Sequence, residues 1–537
     1  MRRGLILLAA LSSAGASFAE APAPALVLRT LVLAAEPAAL EEPQPPGVTI
    51  AGLPLAERGG LREALSRQLG APLTEELRSR IVAEVVLHYR NLGYPIVSVT
   101  TPPQSLAGGV LRVLVVEGRL GRVRVEGARW FAPEWLRRQI RCPPGRTIDA
   151  DALAEDLDWI NRNPFRQVDL VYAKGSELGR TDVVLQATDR FPVRVYTGYE
   201  DSGTPLTSNH RLLAGANWGN AFGLDGRLDY QFMADPEGRF FKAHALTYAQ
   251  PLPWRHILTL VGSYATVRGD VPDPFELRGS NWQTSARYEA PLPGRSGFRH
   301  ALALGFDYKR ADNNLAFGGE SVFGATVDTV QWSLGYNAAL RDALGATTLR
   351  ATAFYSPGGV GARDTDEAYA ATRSGASANY AYGRLELGRT TGLPWDFSLV
   401  NLLTGQVSGA NLIGSEQLGF GGYDTIRGYD TRVVNADQGL ILTTELRTPP
   451  LSPLSRLLRR APYDKFQFLA FVGYGVAANK HRLNGEERVT ELLGAGPGLR
   501  YELASNLTVR ADYAWQILAL PGRVNVRRWH VGATISL

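Results

Sequence analysis

The chain has 537 residues, more than one ordinary domain needs, and a single cysteine, Cys142, so no intramolecular disulfide can form and a disulfide-stapled secreted scaffold is excluded. A formal charge of +5 is small for this length, and no basic run stands out, which argues against nucleic-acid binding. The 57 glycines, 21 tyrosines and only two methionines suit β-rich structure with many turns better than a helical bundle.

Arg2 and Arg3 precede the apolar run Gly4 to Leu11, which gives way to small residues ending Ser17-Phe18-Ala19. A charged start, a short apolar stretch and small residues at the −3 and −1 positions describe a secretory signal peptide, with cleavage expected after Ala19. The run is too short for a membrane-spanning helix, which needs roughly 20 apolar residues. Later apolar stretches are broken by charge or glycine within about ten residues. An exported chain of this kind is either soluble or a closed barrel. A barrel strand crosses in about 9–11 residues of alternating polarity, so the slightly negative mean hydropathy does not separate the two.

Residues 20–118 are expected to form a first small α+β domain. It opens with a strand over Leu26 to Leu33, followed by a Pro-rich insertion from Glu36 to Pro46. A helix then places Leu61, Leu65 and Leu69 on one face. A second helix, capped by Thr74, aligns Ile81, Val85 and Tyr89 and stops at Gly93-Tyr94-Pro95. Strands Ile96 to Thr100 and Val110 to Val116 complete a β-α-α-β-β unit. Residues 119–190 repeat that order: strand Leu120 to Val125, helix Pro133 to Ile140, and a helix capped by Asp149 with Leu153, Leu157 and Ile160 together. Asn163-Pro164 ends that helix, and strands Val168 to Tyr172 and Thr181 to Thr188 close the unit. A tandem repeat of this size implies two small cores.

From Phe191 to Leu537 period two replaces helical periodicity. Trp332, Leu334 and Tyr336 alternate with Gln331, Ser333 and Asn337, while Leu302, Leu304 and Phe306 alternate with Ala303, Gly305 and Asp307. Ala511, Tyr513 and Trp515 alternate with Arg510, Asp512 and Ala514, and the last residues continue the pattern through Trp529, Val531, Ala533 and Ile535. A soluble sandwich also alternates, so turn lengths decide. Short turns fall at Pro251-Leu252-Pro253, Pro291 to Gly297, Arg341 to Gly345, Gly392-Leu393-Pro394 and Ala504 to Asn506. Between them lie long polar loops such as Ser356 to Gly375 and Gln406 to Gly439. Short on one side and long on the other is the outer-membrane arrangement. Sixteen strands are expected, beginning near Val193, Leu212, Leu224, Phe240, Ile257, Trp282, His300, Thr329, Thr347, Ala376, Phe397, Leu440, Phe466, Gly496, Leu507 and Arg528. That even number leaves both ends of the wall in the periplasm. The fold class is an all-β transmembrane barrel preceded by two small α+β domains.

Enzymatic chemistry finds little support. The seven histidines are scattered without chelating spacing, and neither a nucleophile elbow nor a phosphate-cradling loop is present. No catalytic residue, metal site or cofactor is assigned. The sharpest local feature is Gly419-Phe420-Gly421-Gly422-Tyr423-Asp424-Thr425-Ile426-Arg427-Gly428-Tyr429, in the longest external loop. Its glycines allow the loop to fold into a confined space. Arg427 in a lumen then requires a carboxylate or carbonyl partner. The plainer alternative is a surface loop with a solvated arginine.

Ile426-Arg427-Gly428-Tyr429 resembles the VRGY/F motif of outer-membrane barrels fronted by POTRA domains. Tyr89-Arg90-Asn91-Leu92-Gly93-Tyr94-Pro95, then Pro103-Gln104 and Gly109 to Gly118, resemble segments of a first POTRA domain. Asp156 to Arg166, with Asn161-Arg162-Asn163-Pro164, resembles the L-x-x-N-x-N-P-x-R signature of a second. Together these are similar to the TpsB-type two-partner secretion transporters, the ShlB/FhaC/HecB group. The resemblance implies an outer-membrane translocator that exports a cognate TpsA-type exoprotein, recognised through its secretion domain. It also implies insertion into outer-membrane lipid by way of periplasmic chaperones and barrel-assembly machinery. Capture is expected by strand addition at Val168, Asp169, Leu170, Val171 and Tyr172.

Two departures from the family pattern stand out. The wall segment Phe471-Val472-Gly473-Tyr474-Gly475 has glycine where an Asp partner for Arg427 is expected, leaving Glu445 or Glu416 as candidates. The expected N-terminal plug helix has no counterpart, since only Glu20 to Ala25 separates the cleavage site from the first strand. An assembly factor of the same superfamily stays open as the alternative function. Cys142 reads as a half-buried structural thiol.

Overall fold

The computed structural model describes residues 26–537 except 178, 296, 318–319, 460–462 and 522–525. The stretch in which a signal peptide is expected, and a plug helix is not, falls outside the described residues. The chain divides into two compact units. One runs through Glu126 and adds Pro133–Ile160 and Val168–Ala187; the other holds Gly127–Ala132, Asn161–Gln167 and Thr188–Leu537.

In the first unit the elements are β1 (Thr30–Ala34), α1 (Pro37–Glu41), β2 (Gly47–Ala51), α2 (Leu61–Ser66), α3 (Glu75–Asn91), β3 (Val97–Thr100) and β4 (Val110–Glu117). The sheet order is β2-β1-β4-β3, with β1 parallel to β2 and β4 and β3 antiparallel to β4. The Thr74 hydroxyl caps α3 by accepting the Leu77 N–H at 3.2 Å. Leu77, Ile81, Val85 and Tyr89 then pack with Leu61 and Leu65 against Leu111, Val113 and Val115.

The Pro-rich stretch is structured. It forms α1, which packs Leu40 onto Val32 and Ala34 on the opposite face of β1, and leads into β2. The first repeat is therefore β-α-β-α-α-β-β, whereas the second keeps β-α-α-β-β. β1 is buried on both faces, and parallel strands so covered read as unbroken apolar runs.

The second repeat supplies β5 (Arg119–Glu126), α4 (Pro133–Arg138), α5 (Ala150–Ile160), β6 (Arg166–Lys174) and β7 (Arg180–Asp189). Its sheet runs β5-β7-β6. The Tyr89 hydroxyl donates to Glu117 at 2.9 Å, burial pushing its own ionisation upward, and the Ala150 N–H at the head of α5 donates to the Gly93 carbonyl at 2.9 Å. Gly93 thus ties the first repeat to α5 of the second, and Tyr89 fixes Glu117 at the end of β4.

The second unit is a closed antiparallel barrel of sixteen strands. They are β8 (Val193–Glu200), β9 (Arg211–Ala221), β10 (Gly226–Ala234), β11 (Phe241–Pro251), β12 (Ile257–Gly269), β13 (Phe275–Arg295), β14 (Phe298–Phe317), β15 (Glu320–Asp342), β16 (Gly345–Ser356), β17 (Tyr380–Gly392) and β18 (Ser398–Ser408). After the loop hairpin β19 (Leu418–Phe420) and β20 (Val434–Ala436), the wall resumes with β21 (Gln438–Arg447), β22 (Asp464–Ala478), β23 (Thr490–Leu503), β24 (Leu507–Gln516) and β25 (Arg527–Ser536).

Trp332, Leu334, Leu304, Leu402, Trp529 and Ile535 are exposed on the outer surface, whereas Gln331, Ser333, Asp307, Gln406 and Asp512 are buried. This apolar-out, polar-in division is that of a wall standing in lipid. Closure is uneven: β14 and β15 pair from Phe298–Leu340 to Phe317–Glu320, but β25 meets β8 only from Ser536–Tyr196 to Gly532–Glu200.

Within this unit the Asn163 side chain donates to Gly219 and to Asp225 (2.9 Å), and the Arg166 guanidinium forks onto Asp225 (Nη2–Oδ2 2.9 Å). Arg166 also lies 4.6 Å over the Phe131 ring. The N-x-N-P-x-R signature therefore clamps the β9–β10 turn.

Candidate functional site in the barrel lumen

The loop between β18 and β21 turns into the lumen. Ile426 is 0% exposed, Arg427 1% and Tyr429 2%, which excludes the surface-loop alternative. The wall makes room by presenting glycine. Gly494 on β23 would put a Cβ 1.9 Å from the Arg427 carbonyl oxygen, and Gly475 on β22 would put one 2.3 Å from Ile426 Cδ1. On the loop, Gly428 (φ +99°) lies against the β24 backbone at Trp515, in a conformation L side chains avoid.

Into this floor Arg427 inserts its guanidinium. Nη1 lies 2.8 Å from Glu445 Oε1 and 2.9 Å from Asp512 Oδ2, and Cζ sits 3.6 Å from the centre of the Phe471 ring. Asp512 also receives Arg500 at 2.7 Å and Arg510 at 2.9 Å, while Glu445 receives Arg447 at 2.6 Å and Arg500 at 3.1 Å. Four guanidiniums thus share two buried carboxylates, so every acid oxygen is occupied, as burial of charge demands. Neighbouring loop residues add to the grip: Gly428 N–H donates to His530 Nε2 at 3.1 Å, and the Tyr429 hydroxyl oxygen accepts Leu493 N–H at 3.0 Å and lies 2.7 Å from the Leu518 carbonyl. Asp430 pairs with Arg528 on β25. The loop tip is therefore held along β21 to β25, up to the short seam.

Of the two acids expected from sequence, Glu445 lies on Arg427 and Glu416 does not. Glu416 is engaged elsewhere, receiving Lys309 of β14 at 2.9 Å and the Tyr382 hydroxyl of β17 at 2.9 Å. It anchors the base of the same loop to a different part of the wall.

The second partner of Arg427, Asp512, was not among the expected residues. Its inward position was readable from the alternation of β24, but its pairing with a residue 85 positions earlier was not. Gly473, where an acid was expected, would place a Cβ 3.5 Å from the Ile426 Cα, and the carboxylate comes from β24 instead.

A second inward segment lies between β16 and β17. It was read as loop only, yet it contains α6 (Asp366–Thr372), capped by Thr365. Tyr369 on α6 is fully buried and donates to Thr329 of β15 at 3.0 Å. Arg373 donates to the Leu412 carbonyl at 2.7 Å and pairs with Asp437. Asp437, 0% exposed, also accepts the N–H groups of Leu412 and Lys480, both at 2.9 Å. One carboxylate thus ties three external loops together.

In the first unit, β6 is an edge strand. Val168 is buried, Leu170 half-buried, and Asp169, Val171 and Tyr172 are exposed. Among the described residues no group of His, Cys, Asp or Glu is arranged to hold a metal ion.

Comparisons with known proteins agree with this architecture. The outer membrane transporter CdiB of Escherichia coli is 27% identical over 214 residues, 39% of this chain and about a third (34%) of that relative. The heme/hemopexin transporter protein HuxB of Haemophilus influenzae is 20% identical over 416 residues, 72% of this chain and 68% of the relative. The solved structure of CdiB from Escherichia coli superposes with a TM-score of 0.76 at 16% identity, covering 98% of this chain and 93% of that one. CdiB from Acinetobacter baumannii gives 0.65 at 16% identity, covering 96% and 90%. A ShlB-type POTRA domain model matches residues 46–118. The model for the haemolysin secretion/activation protein ShlB/FhaC/HecB matches residues 179–501, more than half of the chain, which therefore belongs to that family of outer-membrane β-barrel transporters.

Proposed function

We propose that this protein is the outer-membrane translocator of a two-partner (type V) secretion system, passing a cognate exoprotein of haemolysin or adhesin type from periplasm to cell surface. The observation that carries the reading is how the lumen is filled. The long loop is fastened by discrete buried ion pairs at Arg427 and Glu416, so the barrel is a blocked channel and not a solid core. The position of β6, with residues Val168 to Tyr172, at the end of its sheet supports capture of an extended chain by strand addition.

The two fastenings differ in strength. Arg427 is gripped by two acids, an aromatic ring and flanking backbone bonds; Glu416 relies on one lysine and hydroxyl donors. On this reading the Arg427 end stays docked and shapes the conducting barrel, while the Glu416 end and the Asp437 knot release to let the unfolded exoprotein through. Biogenesis of the barrel itself uses periplasmic chaperones and the barrel-assembly machinery.

Deleting the chain in a strain that expresses a candidate exoprotein tests the function. Loss of that protein from the medium, with other outer-membrane barrels at normal levels, is expected. A general fall in barrel levels would instead assign it as an assembly factor.

A further inference from the structure

The turns on the side of the chain ends are short with one exception, the segment between β21 and β22. It carries α7 (Pro453–Leu458), a turn and a half of helix whose residues Arg456 to Leu458 are exposed. The start of α7 is firmly held. The Asp464 carboxylate, 3% exposed, accepts the N–H groups of Leu454 and Ser455, both at 2.9 Å, and the Ser455 hydroxyl; Ser452 Oγ donates to the Asp464 carbonyl at 2.8 Å. Yet two of the side chains it holds outward are apolar: Leu457 is 77% exposed and Leu458 49%. A fixed turn that displays leucine to water is unfavourable unless something covers it.

Two features say what covers it. The first is continuity with the lipid-facing wall. Leu451 bridges to Phe466 by hydrogen bonds of 2.8 and 2.7 Å, and Leu446, Leu451 and Phe468 are exposed on the same outer surface. Phe466 lies 4.8 Å from Phe468 and 6.3 Å from Tyr501, an aromatic group at the level where such barrels carry their interfacial girdle. The second is charge: exposed Arg456 and Arg459 bracket the two leucines. Apolar side chains bracketed by arginines, just beyond an aromatic girdle, suit acyl chains below and anionic headgroups above.

We infer that the β21–β22 turn is a membrane-interface anchor, burying Leu457 and Leu458 in the periplasmic leaflet and binding anionic phospholipid headgroups through Arg456 and Arg459. The test uses the full chain in nanodiscs, with Cys142→Ser and a nitroxide on Leu457→Cys. Collision with oxygen and with a water-soluble nickel chelate is compared in phosphatidylcholine alone and in phosphatidylcholine mixed with phosphatidylglycerol. The anchor predicts a nitroxide accessible to oxygen and shielded from nickel, more strongly in the mixed bilayer. The double variant R456E/R459E, checked for an intact barrel by heat-modifiability, removes the effect of phosphatidylglycerol. By native mass spectrometry, unlabelled wild-type protein is expected to retain on the order of tenfold more phosphatidylglycerol than this variant. A nitroxide open to nickel in both bilayers, or shielded only when an exoprotein's secretion domain is added, would overturn the assignment in favour of a water-exposed or protein-binding turn. Equal retention by wild type and R456E/R459E would overturn the role of the arginines.

Discussion

Asp512 serves Arg427, Arg500 and Arg510 at once, so Asp512→Ala leaves three guanidiniums competing for Glu445 and for exposed Asp424. Breaking a buried ion pair from one side costs about 3–5 kcal/mol. The expected result is a mobile loop tip, seen as raised ion conductance of the barrel in planar bilayers. Gly494→Ala should act similarly without changing any charge, because its Cβ would collide with the Arg427 carbonyl. Glu416→Gln weakens the separate anchor at Lys309, and its effect on conductance should add to that of Asp512→Ala. A strongly non-additive double variant would show that the two anchors act as one. In the second POTRA repeat, burial and the nearby Asp156 and Asp149 raise the Cys142 thiol above its ordinary value. Its thiolate fraction at neutral pH is therefore low, and iodoacetamide should modify it more slowly than a free cysteine peptide, a gap that closes as pH rises.

At the scale of elements, α1 shows where sequence reading failed and why. Four prolines and three acids from Glu36 to Pro46 look like a solvated excursion, but Pro37 starts a helix as readily as it breaks one, and Leu40 is 4% exposed against Val32 and Ala34. Leu40→Ala should destabilise the first repeat by about 2–5 kcal/mol, measurable as lost amide protection in β1. An unpacked excursion would tolerate the change. The wall was more legible. Each of the sixteen expected starts falls on an observed strand or within a few residues of one, because lipid on one side and lumen on the other impose strict alternation. The larger misses, Trp282 against Phe275 and Thr329 against Glu320, share one cause. There the strands continue beyond the apolar band, where nothing in the side-chain pattern marks them. Strand pairing over long sequence separation was equally silent, which is why Asp512 went unassigned while its inward direction was plain.

For the molecule as a whole, the unequal closure of the barrel matters. The short β25–β8 pairing is the weakest seam by length, and the loop tip reaches it through the Asp430–Arg528 pair and the Gly428–His530 bond. If the seam stays shut during transport, a cysteine pair at Thr197 and Ile535, opposite one another on the outer face, can be oxidised in a Cys142→Ser background without loss of export. If transport parts the strands, export should stop on oxidation and return on reduction. Both outcomes are compatible with a translocator, and they separate passage through the lumen from passage through an opened wall.

If a loop locked by Arg427 shapes a protein-conducting barrel, Arg427→Ala should end transport. The measurement scores the exoprotein in the medium together with the variant's heat-modifiability in the outer membrane. A folded, inserted barrel that exports nothing is expected, and normal export by that variant would show that the Arg427 lock is not needed for conduction.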